Sequence, residues 1–87
     1  MYTKKLNWVK DGVGRDFVTI YDDIRFQLDI EYYPNINKYL SYLSIKCNNA
    51  AVVIYRNFED TELDVFLEAE RFIREELFEG FKKLLTL

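Results

Sequence analysis

Four carboxylates, Asp64, Glu68, Glu75 and Glu79, fall on one narrow stripe when the chain beyond about residue 61 is wound at roughly 100° per residue. Carboxylates repeating along a helix present negative charge at intervals, as a nucleic-acid duplex does. Such a row can occupy the basic groove of a partner. Phe72 lies on the same side, ringed by Glu68, Glu75, Glu76 and Glu79. An aromatic among acids is a natural anchor for an interface, because aromatics dominate binding hot spots. Asp64, Glu68, Phe72, Glu75, Glu76 and Glu79 are therefore the candidate partner-binding residues. A solvated face is the simpler account of the same stripe. Acids early in a helix and Lys82 and Lys83 late in it both suit the helix dipole, and single exposed hydrophobics are ordinary.

The charges are segregated along the chain. Residues 59–79 hold nine acids against two bases, Arg71 and Arg74, whereas residues 1–58 hold six acids and eight bases. The net charge of −3 is small for a dedicated mimic of nucleic acid. Glu70 and Arg74 are spaced i, i+4 with the acid first, the favourable order for an ion pair. Both project towards the apolar stripe, which suits a pair at the edge of the core with its charges reaching out to water. A polar pair that fixes register within an interface is the alternative.

Catalysis has little to work with. The chain has no histidine, the commonest general base. Ser41 and Ser44 are the only serines, and Cys47 has no histidine to activate it. Cys47 is expected as a small buried hydrophobe. Asp22-Asp23 and Glu75-Glu76 are adjacent pairs whose side chains diverge, so neither forms a paired-carboxylate site. No P-loop, G-x-G-x-x-G or EF-hand spacing is present, and a structural zinc site lacks ligands. The expectation is a non-enzyme without metal or cofactor.

The elements that must position these groups divide at about residue 57. Before it the apolar residues alternate with period two. Strands are expected over 4–10, 15–21, 24–32, 38–47 and 51–56. Turns fall at Asp11-Gly12-Val13-Gly14, Asp22-Asp23, Pro34–Asn37 and Asn48-Asn49. The strand over 24–32 alternates cleanly, with Ile24, Phe26, Leu28, Ile30 and Tyr32 on one side. After it the period turns helical. Thr61-x-x-Asp64 resembles a capping box, and the helix is expected over about 61–86, with Gly80 inside it. Its apolar stripe holds Leu63, Phe66, Leu67, Ile73, Leu77, Phe78, Phe81, Leu84 and Leu85, leaving Val65 and Phe72 on the polar side. A helix of that length outruns eight-residue strands, so part of it is expected to overhang the sheet.

The fold expected is α+β: a single domain over 1–87, an antiparallel meander of four or five strands with one long C-terminal helix across one face. Aromatics make up 17% of the chain, and three strands are apolar on both sides. The uncovered face should therefore show apolar groups to water, as interfaces do. No leader-like or membrane-spanning segment is read, so the chain is expected to be soluble and cytoplasmic. The most concrete function is a small stoichiometric inhibitor of a nucleic-acid enzyme or defence system, of the anti-CRISPR-like kind carried by phages and mobile elements. Its acidic helix would meet basic residues of a protein partner. A structural homodimer and a sheet that binds single-stranded nucleic acid are the alternatives. The scattered bases speak against the latter.

Overall fold

The computed structural model describes residues 6–11 and 16–79 of the 87-residue chain. Five strands follow one another as β1 (Val9–Lys10), β2 (Asp16–Tyr21), β3 (Ile24–Tyr33), β4 (Lys38–Cys47) and β5 (Ala50–Glu59). They form one antiparallel sheet in sequence order, a meander. The chain then enters α1 (Glu62–Arg71) and continues directly into a π-helical segment, Phe72–Glu79. This is the α+β architecture expected from the change of period.

Local chemistry sets the joints. Asp22 and Asp23 both take positive φ, 54° and 65°, in a two-residue turn of the kind that matches strand twist. Asn37 and Asn48 also sit in the left-handed region, which their short polar side chains tolerate. Thr61 is extended and caps α1 by accepting from the Asp64 amide at 3.1 Å.

One face of the sheet is covered. Phe26, Leu28, Ile30 and Leu43 from β3 and β4 meet Val65, Phe66, Ala69 and Ile73 from the helix in a single core. Each fully buried Val, Leu, Ile or Phe among them stabilises the fold by about 1.5–3 kcal/mol. Phe17 and Trp8 close the side of the core on Phe66, with ring centroids at 4.9 and 5.7 Å.

Three expectations are corrected. The first strand was expected over 4–10 but pairs only at Val9 and Lys10 among the described residues. Its preceding residues turn to other partners: Leu6 donates its amide to Glu70, and Asn7 accepts from the Thr19 hydroxyl. Lys4 and Lys5 lie outside the described residues, as do Gly12–Arg15. The helix changes type at Phe72 instead of running on as α-helix. Gly80 and the rest of the expected helix to residue 86 again lie outside. Thirdly, β3, β4 and β5 each run ten residues, about 34 Å. The described helical span therefore does not outrun them.

Candidate functional site

The helix meets the sheet with most of the side its periodicity indicates, Phe66 and Ile73 buried and Leu77 and Phe78 packed against the core, but that side is shifted at the first turn. Val65, Phe66, Ala69, Glu70 and Ile73 are buried, while Leu63 is 48% exposed. Val65 thus belongs to the core and Leu63 to the surface, the reverse of expectation. Two physical causes are visible. Ala69 lets the helix approach closely. Glu70, only 1% exposed, is held inside by the N-terminal segment. Its Oε1 accepts from the Trp8 indole N–H at 2.8 Å and from the Leu6 amide at 3.1 Å. Glu70 is accordingly a core acceptor rather than an edge residue reaching for water. Arg74 is half-buried, and among the described residues its Nε has no hydrogen-bond partner.

The π-helical segment resets the spacing. Its turns join residues five apart. Phe72 with Leu77, and Ile73 with Phe78, both pack on the core at that spacing. Phe72 stacks flat on Tyr55 of β5, with centroids at 4.3 Å and planes at 5°. Phe78 meets Tyr21 edge-on at 4.9 Å. The same wide turn brings Glu76 under Arg71, five residues earlier, with the guanidinium donating at 3.1 Å. In return Glu75, Glu76 and Glu79 are turned out to solvent.

The six candidate residues therefore divide. Glu75 and Glu76 are exposed, their side chains 62% and 52% accessible, and Glu79 is exposed beside them. Asp64 is half-exposed at the first turn of α1. Glu68 is engaged within the fold: it accepts from Arg71 Nε at 3.0 and 3.1 Å and from the Tyr55 hydroxyl at 2.9 Å. The bonded guanidinium holds its carboxyl below the usual range, and the same pair raises Arg71 further. Phe72 is half-buried on Tyr55, so only part of its ring is available to a partner. Burial and the nearby charges of Glu68, Asp64 and Asp60 push Glu59 upward. Glu59, Asp60, Asp64 and Glu68 gather beside β5, continued by Glu75, Glu76 and Glu79 along the helix; Lys38 pairs with Asp60 and Arg71 with Glu68, and the acids still outnumber these bases, leaving a negative field.

Compared with models of protein families, with curated proteins and with solved structures, the chain matches none.

The opposite face of the sheet carries a second constellation. By register, Arg25, Lys38, Lys46 and Arg56 all fall on this face, with Tyr33, Tyr42 and Phe58 among them. The expected spread of apolar groups is present, in Val9, Ile20, Val53 and Phe58. A polar strip of Arg25, Gln27, Asp29 and Glu31 along β3 divides it. Asp16 and Asp29 stand directly opposite one another across β2 and β3. Burial, then a hydrogen bond to Asp16, raises Asp29 to about 6, against the pull of Gln27 and Lys46. This paired carboxylate was missed in the sequence because its members are thirteen positions apart. Only the strand register joins them.

Cys47 is exposed at the end of β4, not buried; it stands beside the Asn48-Asn49 turn, where the sheet ends. Ser41 is buried and donates to the Asn57 carbonyl at 3.3 Å. Among the described residues no group of three or more acids, cysteines or histidines is placed to hold a metal ion. No described helix is long and apolar enough to cross a membrane.

Proposed function

We propose that the chain is a non-catalytic protein-binding module whose acidic side occupies a basic surface of its partner. Its most concrete form is a stoichiometric inhibitor of a nucleic-acid enzyme or defence system, of the anti-CRISPR-like kind carried by phages and mobile elements. The observation that carries this reading is the outward turn of Glu75, Glu76 and Glu79 at the π-helical segment, next to the negative field around Glu59. A partner's Lys and Arg side chains would meet exposed carboxylates there. Arg71 pairs with Glu68, Glu75 and Glu76 and offsets one of their charges, leaving this side negative.

The test is triple charge reversal, Glu75→Lys, Glu76→Lys and Glu79→Lys. Glu68 is left alone because it also braces Tyr55 and Arg71. A tagged chain should retain its partner from a lysate of its host. The triple variant should lose that partner while its circular dichroism stays unchanged. Duplex nucleic acid should compete for the same partner. Retention of the partner by the folded variant would sink the reading.

A second reading rests on the opposite face, where four bases and three aromatics share one side of the sheet. Such a surface can stack single-stranded bases. Asp16, Asp29 and Glu31 interrupt it, so the first reading is preferred. A mixed oligonucleotide pool at low salt distinguishes them: salt-sensitive binding lost in Arg56→Glu would favour the second.

A further inference from the structure

The sheet ends at the outer edge of β5. An antiparallel strand aims the N–H and C=O of alternate residues at each side. β5 pairs with β4 on one side only, and among the described residues no strand pairs with the other. Long edges are ordinarily blunted by lysine, proline, a bulge or an inward charge. On β5 such devices lie at and beyond a register shift opposite Leu43/Ser44 that leaves Ile54 unpaired, together with the charges of Arg56 and Glu59. Ala50, Ala51, Val52 and Val53 before it are exposed and uncharged. Tyr55–Glu59 after it runs beside the negative field of Asp60, Asp64 and Glu68.

We infer that β5 accepts an extended segment of the partner as a sixth strand, and that this segment carries Lys or Arg at alternate positions on the helix side. The inference rests on reading the acidic side as the partner-binding surface. Bases at every second residue of a strand share one face, roughly 7 Å apart. They would lie under Glu59, Asp64 and Glu68 while main-chain bonds form along Tyr55–Glu59. Main-chain pairing supplies affinity in strand addition and alternate side chains supply specificity. A second copy of this chain fits less well. Antiparallel pairing through β5 with matched faces sets both helices on one side, and their carboxylates repel.

The experiment uses the full chain and a synthetic peptide of about ten residues, the length of β5, alternating Lys with Val. Two controls are the same peptide with Glu for Lys and the Lys peptide N-methylated at alternate backbone nitrogens. The Lys peptide should bind, the Glu peptide should not, and N-methylation should weaken binding about tenfold or more through lost main-chain bonds. On binding, alternate amides within Tyr55–Glu59 should exchange more slowly with solvent. Equal binding of the N-methylated peptide, or unchanged exchange along β5, overturns strand addition. If the triple-reversal variant then still loses the natural partner, the acidic side stands as an interface without the edge. Binding of neither peptide, with the triple variant retaining its partner, removes both. A dimer mass by light scattering, with β5 amides already protected, would show the edge occupied by a second copy and overturn the inference.

Discussion

At the scale of single residues, carboxylates play opposite parts in this fold according to what faces them. Glu68 is bonded by a guanidinium and a phenol and stays ionised easily. Asp29 faces another carboxylate across the sheet and is raised to about 6, by burial first and by Asp16 next. The consequences for stability differ in sign. Between the ordinary aspartate value near 3.8 and about 6, the folded chain holds a proton on Asp29 that the unfolded chain has released. This contribution to stability is full below the unfolded value and is lost as pH rises through about 6. Asp29→Asn should therefore match the parent near pH 4 and exceed it at pH 7. The gain expected is about 0.5 kcal/mol after discounting for solvent screening. Urea unfolding at several pH values from 4 to 7 measures it. A difference that does not change with pH would refute the assignment.

At the scale of elements, the packing of the helix depends on a residue that the sequence pattern places at the edge of the core with its charge reaching for water. Glu70 sits among the core side chains because the segment before β1 delivers two N–H donors to it. Removing the acceptor leaves the Trp8 indole and the Leu6 amide without this partner, at roughly 1–3 kcal/mol for each buried donor. Glu70→Ala should therefore cost about 2–4 kcal/mol and shift Trp8 fluorescence towards the red. Glu70→Gln, which retains an acceptor oxygen, should cost less. If the two variants melted alike with unchanged Trp8 emission, Glu70 would not be what ties this segment to the helix. The π-helical segment is the other decision taken at this scale. Residues five apart pack on the core, at the expense of a regular α-helical face, and three glutamates turn outward.

At the scale of the whole molecule, two faces of different charge result from one thin sheet and the helix packed on it. The covered side ends in carboxylates; the open side carries Arg25, Lys38, Lys46 and Arg56. Apolar residues on the open side are divided by the polar strip of β3. Light scattering after size exclusion should give 10.5 kDa across micromolar concentrations. A mass twice that, persisting on dilution, would show that the β5 edge or the Val9–Ile20 corner is covered by a second copy.

The alternating period before residue 57, the turn residues and the Thr61 cap determined the meander and the start of the helix. These are local signals, set by backbone sterics and by neighbours in sequence. Segregation of acid into residues 59–79 was equally legible. Which of those acids reach solvent was decided only by tertiary structure. Winding the helix at a constant angle put Val65 outside and Leu63 inside. The fold reverses both, because the burial of Glu70 against Trp8 and the close approach at Ala69 outweigh the small loss at Leu63. Phe72, read as a free anchor, found Tyr55 on the edge strand. Asp16 and Asp29 became a pair through strand register alone. Contacts between residues far apart in sequence depend on how elements pack, and packing energy summed over many side chains overrides the preference of any one position.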